Sequence, residues 1–341
     1  MLEAYGLQIL SVFAILWLEN RRERNRMKTE AFEFSGFHGQ RLPAAIWLPD
    51  GAPRGILQIT HGMTEHIGRY TALAQALTQH GFVVAGFDLR GHGRNPGNPE
   101  IASFGEDGWE GSLQDMRLFF GLLSQRFPGL PHFLLGFSLG SFLLREYLCR
   151  YPEDVAGAAI LGTGYQPGAV LGVMMAIVKS QIRKAGFDGT TDLVKQLSFE
   201  NYNQKFRPNR TAADWLCADR TQLDAYLADP LCRKTISAGL FWQLLGSMKR
   251  TGGRDAYHGW NLDTPILLLS GQDDPVGDSG KGVVAVKKRM EKTGMRRVTL
   301  ELLPNARHDL LHEEATAAAD ARNSLLRWLE DIVIPTKTDL A

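Results

Sequence analysis

The chain of 341 residues has little cysteine, no surplus of either charge and no apolar run long enough to cross a bilayer, and each shortage excludes something. Cys149, Cys217 and Cys232 are its only cysteines and lack metal-ligand spacing. They read as reduced thiols of a cytosolic protein, with a Cys217–Cys232 disulfide as the alternative. The 38 Lys and Arg residues balance 37 Asp and Glu. Without a basic excess, nucleic acid is not an expected partner, because phosphate backbones call for a basic face. Internal repeats and low-complexity tracts are missing as well. What is present, 44% apolar and 22% charged residues, is the composition of a globular chain that buries a proper core.

One segment is out of step with this. Residues 5–18, YGLQILSVFAILWL, are almost continuously apolar, and Arg21, Arg22, Arg24, Arg26 and Lys28 follow. The run falls short of the roughly 20 residues a spanning helix needs, and no small-x-small cleavage site follows it, which argues against a secretory signal. If it did span, its basic flank would keep the remainder in the cytoplasm. An extension left undocked, or untranslated if synthesis starts at Met27, an interfacial anchor helix and a true span all stay open. The expected location is therefore cytoplasmic, with membrane association if residues 1–29 act as an anchor.

From Glu30 onward, apolar strands alternate with amphipathic helices. EAFEFSG and RLPAAIWLP read as opening strands around a Gly36/Gly39 turn, followed by the strands GILQIT, FVVAGFDL, PHFLLGF and VAGAAILGT with helices between them. After Thr163 the pattern breaks and returns only at PILLLSG, with RRVTLELLP as the last strand and HEEATAAADARNSLLRWLEDI as the closing helix. Repeated β–α alternation implies an α/β fold with a mostly parallel sheet covered by helices on both faces. The expected organisation is a core of residues 30–164 and 261–335, a helical insertion at 165–260 lying over the sheet as a cap, and a tail at 336–341.

GFSLG at 136–140 is Gly-x-Ser-x-Gly between a strand and a helix. A serine on so sharp a turn needs neighbours nearly without side chains two residues to either side, and Gly136 and Gly140 meet that need. Ser138 would then stand at the carboxyl edge of the sheet, where open α/β sheets place ligands. A serine hydroxyl needs a base, and the base an orienting carboxylate. Asp274 follows PILLLSG and His308 follows the last strand. Asp273 is the rival acid, but spacing from Gly271 favours Asp274; His312, the rival base, is expected inside the closing helix. No HExxH accompanies the His308/His312 spacing, so no metal is expected, nor any cofactor. For a developing oxyanion the backbone N–H groups of Leu139 and Met63 are the expected donors.

At this point the residues resemble a known family. HGMTEHIGRY (61–70), FDLRGHGRN (87–95), GFSLG, SGQDDPV and NARHDLLHE together are similar to the monoacylglycerol lipase and lysophospholipase group of α/β-hydrolases, which is also classed with serine aminopeptidases. The resemblance covers about residues 30–335. It implies the α/β-hydrolase fold, a triad of Ser138, Asp274 and His308, an oxyanion hole from Met63 and Leu139, and a cap that admits an acyl chain. Glu65, His66 and Arg69 match the most specific motif and are assigned to locking the oxyanion loop, and Asp88, Arg90 and His92 to structure beneath the site. Asn95 stands where the family usually has serine, and Ser141 where it usually has glycine or alanine; both departures bear on substrate detail.

An acyl substrate wants an apolar tunnel. Met174 and Met175 in AVLGVMMAIV (169–178), together with Trp215, Phe241 and Trp242, are the candidates to line it; simple packing of this stretch on the core is the alternative. The basic KSQIRKAG that follows could sit on an anionic lipid surface. The expected activity is hydrolysis of carboxylic esters, in particular monoacylglycerol or lysophospholipid-type lipids, through an acyl-enzyme. Aminopeptidase, acyltransferase and non-catalytic ligand-binding relatives of the same fold are the alternatives.

Overall fold

The computed structural model describes residues 27–333 apart from 96, 153–154, 198–200, 233 and 254–255. The expectations for the apolar run at 5–18 and the tail at 336–341 lie outside the described residues. Strand β1 (Lys28–Ser35) pairs antiparallel with β2 (Arg41–Leu48). The turn between them needs Gly39, whose φ is 74°. Six further strands complete one sheet: β3 (Gly55–Thr60), β4 (Phe82–Phe87), β5 (His132–Phe137), β6 (Gly157–Leu161), β7 (Ile266–Gly271) and β8 (Val298–Leu303). Their spatial order is β1-β2-β4-β3-β5-β6-β7-β8. β2 meets β4 antiparallel, and every pairing from β4 to β8 is parallel.

Strands buried on both faces read as continuous apolar runs, and here successive residues divide between two cores. Ile56 of β3 and Leu134 of β5 point into one core with α2 (Gly108–Arg126) and α3 (Leu139–Arg150). Leu57, Phe133 and Leu135 point into the other, against α1 (Thr71–Thr78). The break after β6 is an insertion. It carries α4 (Gly168–Ala185), α5 (Arg220–Ala228) and α6 (Ala238–Thr251) before the chain re-enters the sheet at β7. α6 packs on both α4 and α3. A two-residue parallel bridge, Ile101–Ala102 with Thr235–Ile236, also ties the insertion to the loop after β4. After β7, α7 (Lys281–Lys292) leads to β8, and α8 (Ala315–Val333) closes the chain.

Element boundaries differ from the sequence reading at both ends of the fold. β1 begins at Lys28, two residues before Glu30. The closing helix begins at Ala315, so His312 is not inside it; His312 ends a single 3-10 turn, Leu310–His312, held by Asp309. Alanines from 315 make helix propensity visible only from there. No helix among the described residues is long and apolar enough to cross a membrane.

Candidate active site

The sheet delivers each candidate residue from the carboxyl end of a parallel strand. β5 ends at Phe137, and Ser138 sits at φ 51°, ψ −116°, outside the relaxed regions for a residue with a Cβ. That conformation is enforced by packing. A Cβ on Gly136 would lie 2.4 Å from the carbonyl oxygen of Gly140, and one on Gly140 only 2.0 Å from that of Thr60. The Ser138 N–H donates to Leu161 O at 3.0 Å, and its carbonyl accepts from the Ser141 hydroxyl at 2.6 Å. Ser141, the departure from Gly or Ala, thus braces the turn.

Asp274 and His308 are both sealed from solvent, at 0% and 1% exposure, and His308 Nδ1 lies 2.9 Å from Asp274 Oδ1. The other contacts of Asp274 come from the Val276 N–H (2.8 Å) and the Ser270 hydroxyl (3.4 Å). An ionised carboxylate only accepts, so Nδ1 carries the proton and Nε2 presents its lone pair. Nε2 has no hydrogen-bond partner among the described residues, and His308 lines the same cavity as Ser138. Gly162 makes room for the imidazole, since a Cβ there would lie 2.9 Å from its Cε1. The rivals have other duties: Asp273 is half exposed and paired with Lys205 of the insertion at 2.9 Å, while His312 bonds Asp309 and the carbonyl of Arg69.

Phe137 and Trp215 flank the His308 ring at centroid distances of 4.9 and 5.1 Å. Tyr202 stacks on Trp215 in turn (5.2 Å), its phenol pushed up to about 12 by burial and by the charge of Asp274. Sequence reasoning placed Trp215 in a tunnel wall and missed its contact with the imidazole; nothing in the spacing of residues 215 and 308 signals it.

The loop after β3 is held by charge. Glu65 accepts from the N–H of Gly62, the Tyr70 hydroxyl (2.8 Å) and Arg69, and Arg69 reaches on to Asp309 at 2.8 Å. Burial opposes ionisation of Asp309, but Arg69 and His312 hold its carboxyl well below the usual range. His66 accepts from the Gly68 N–H at Nδ1 and therefore donates from Nε2 to Asp229 of the insertion at 2.9 Å. Cys232 brings its sulfur beside this pair, the three ligand-type atoms lying within 4.8 Å of one another. All three cysteines are free thiols. Beneath the loop, Asp88 accepts from the Ile67 N–H, Arg90 grips Asp115, and buried Asn95 donates to the carbonyls of Asp88 and Leu89. Asn95 is thus a loop brace two residues past the glycine of GHG. Neither the Met63 nor the Leu139 amide has an acceptor among the described residues, and both residues line the cavity beside Ser138.

Ser138 stands where two cavities meet. One, of about 240 Å³, is walled mainly by apolar side chains, including Phe142, Met174, Trp215, Phe241 and Leu245. The other, of about 120 Å³, holds Arg69, Tyr226, Lys234 and His308. Met174 lines the apolar cavity as expected. Met175 and Trp242 do not: both face a separate recess with Trp109, Glu146 and Arg250 on the far side of α4 and α6. Adjacent helical residues diverge by about 100°, so Met174 and Met175, like Phe241 and Trp242, look opposite ways.

The sheet order, the serine turn and the strand-end acid and base define an α/β-hydrolase. The family model described as serine aminopeptidase, S33, matches residues 51–315, and the chain belongs to that family. Among curated relatives, the monoacylglycerol lipase of Mycolicibacterium smegmatis is 26% identical over 288 residues, 82% of this chain and 90% of that protein. Human monoglyceride lipase is 29% identical over 280 residues, 81% of this chain and 82% of the relative. Among solved structures, a thermostable carboxyl esterase from Bacillus coagulans in complex with glycerol superposes with a TM-score of 0.83 at 24% identity, over 90% of this chain and all of that one. A soluble variant of the Saccharomyces cerevisiae monoglyceride lipase with a substrate analogue gives 0.69 at 19% identity, over 91% and 96%.

Proposed function

We propose that this chain is a serine hydrolase of carboxylic esters and that its substrates are monoacyl lipids of the monoacylglycerol or lysophospholipid kind. The observation that carries the reading is the junction at Ser138 of a larger cavity walled mainly by apolar side chains and a smaller one bordered also by Glu65, Arg69, Lys234, His308 and Asp309, the polar side of the junction. Such a pair suits an acyl chain on one side of the ester and a short polar alcohol on the other. The lipase names of the relatives lend further support.

In this reading Ser138 Oγ attacks the ester carbonyl while His308 Nε2 takes its proton, with Asp274 holding the imidazole in the Nδ1–H form. The N–H groups of Met63 and Leu139 receive the oxyanion. Collapse expels the alcohol, which leaves with the proton from His308, and water repeats the sequence on the acyl-enzyme. Residues 165–260 act as the cap that walls the acyl cavity. Val170, Val173 and Ile177 form an exposed apolar stripe on α4, with Lys179, Arg183 and Lys184 exposed at its basic end. This stripe supports peripheral contact with a lipid surface. A peptidase reading is less well supported, because a free amino terminus needs an available carboxylate, and Glu65 and Asp309 beside the polar cavity are both engaged by Arg69.

A fluorophosphonate probe should label the wild type and not Ser138→Ala; labelling that survives the substitution overturns the nucleophile. On nitrophenyl esters Ser138→Ala should lower kcat about 10⁶-fold and Asp274→Asn about 10⁴-fold. Asp273→Asn, which breaks only an exposed ion pair, should stay within about twofold. Aminoacyl anilides run beside the esters separate an esterase from a peptidase.

A further inference from the structure

Arg145 is the largest of the fully buried side chains, 1% exposed, and it sits on α3 seven residues after Ser138. Among the described residues it forms no ion pair with any carboxylate. Its two Nη groups serve the two stems of the insertion, while Nε has no partner among the described residues. Nη1 donates to the Thr163 hydroxyl (3.2 Å) and the Gly164 carbonyl (3.0 Å), where the chain leaves the sheet. Nη2 donates to the carbonyl of Thr251 (2.9 Å), the last residue of α6, and to the Tyr257 hydroxyl (2.8 Å) on the way back. The rings of Phe142 and Tyr257 lie 5.5 and 5.9 Å from its Cζ.

The stems are neighbours, since a Cβ on Gly252 would lie 3.3 Å from the Tyr165 ring. Arg289 of α7 closes over them from the other side, stacking 3.7 Å above Tyr165 and donating to the Gly252 carbonyl. The C-terminus of α6 places the negative end of a helix dipole and its unpaired carbonyls at Arg145, which a buried cation satisfies. A buried charge with no counter-charge among the described residues is an expensive way to fill space, and apolar residues of similar volume usually stabilise a core at least as well. What a methionine could not do is fix both stems at once to the helix that begins at Ser138.

We propose that Arg145 is a positioning residue that sets the register of the cap over Ser138, and so sets the selectivity for long acyl chains. It touches neither ester nor oxyanion. It acts through α6, whose Phe241, Leu244, Leu245 and Met248 form one wall of the apolar cavity. An acetyl ester does not reach that wall, whereas a dodecanoyl ester must lie along it. The inference rests on the ester-hydrolase reading above.

The test compares Arg145→Met and Tyr257→Phe with the wild type on nitrophenyl acetate and nitrophenyl dodecanoate, with active sites counted by fluorophosphonate titration. Per titrated site, Arg145→Met should lose about 10- to 100-fold in kcat/KM on the dodecanoate, a loss of the size that a displacement of about an ångström produces. Acetate turnover should change by less than about threefold. Tyr257→Phe, which removes one of the bonds and keeps the ring, should shift the ratio the same way by a smaller factor. A dodecanoate-to-acetate ratio that stays constant in both variants overturns the proposal, because a purely structural role lowers only the number of folded sites. If Arg145→Met does not fold, the ratio for Tyr257→Phe decides alone. A wild type inactive on both esters would instead sink the ester-hydrolase reading, which keeps the two failures apart.

Discussion

The two cavities that meet at Ser138 are built in different ways. The polar one is over-determined: Glu65, Arg69, Asp309 and His312 form a buried chain of charge-assisted bonds in which each group fixes the next. The apolar one is defined by the shapes of side chains on α3, α4 and α6, and no hydrogen bond decides where Met174 or Phe241 points. Charge networks hold atoms to tenths of an ångström but tolerate no missing member. Apolar walls adapt by rotamer changes and grade their response by volume. The polar side should therefore fail sharply when mutated, and the apolar side by degrees.

The strongest way to break the contrast is Glu65→Gln, which leaves Arg69 short of an anionic partner and slackens the bond to the Gly62 N–H. With Met63 one residue on, kcat should fall about 100- to 1000-fold at little change in KM, the loss seen when an oxyanion donor is misplaced. A tenfold rise in KM with kcat intact would place Glu65 in substrate binding instead.

Next in size, Met174→Trp fills the apolar cavity and should lower kcat/KM for dodecanoate about 10- to 200-fold while sparing acetate, the range of hydrophobic pocket discrimination. Met175→Trp, aimed into the other recess, should leave both esters unchanged. Equal effects at 174 and 175 would refute the assignment of the two helix faces.

The smallest effect is on stability. Burial pushes His92, beneath the polar side, and His132, at the far end of β5, down to about 3. Each is neutral when folded and gains a proton on unfolding anywhere between that value and about 6.5, so stability is complete above pH 6.5 and falls as the pH drops. The slope is about 1.4 kcal/mol per pH unit for each group. Thermal melts from pH 7 to pH 5 should show a falling Tm. His132→Phe, which keeps the stack on Phe120, should lessen the decline by one histidine's share without altering turnover at pH 7; the rest belongs to His92 and to His61, which burial also pushes down. A Tm independent of pH would contradict the neutral burial of both imidazoles.

Most of the candidate site could be read from sequence because each piece is local. A glycine-flanked serine after an apolar run, an acid three residues past a strand-end glycine and a histidine after the last strand need no tertiary knowledge. The structure sets the two acids apart: Asp274 is sealed behind β7 beside His308, and Asp273 stands outside against Lys205. What could not be read is phase and partner. α4 is apolar on both its buried and its exposed face, so periodicity does not say which methionine turns inward. Arg145 sits in FLLREYL, where a charged residue reads as the solvent side of an amphipathic helix. Only the arrival of two distant carbonyls makes it a buried tie. The contact of Trp215 with His308 is of the same kind, between residues 93 apart in the numbering.

The short bridge between Ile101–Ala102 and Thr235–Ile236 has a mechanical consequence. A cover fastened only at its stems can swing like a hatch, but this one is also stitched to the core partway along, and the 214–218 stretch is pinned to the loop bearing His308 through the Asp309 N–H and Glu313. With these fastenings the insertion cannot lift as one flap hinged at its stems without breaking the bridge and the bonds at Asp309 and Ala218.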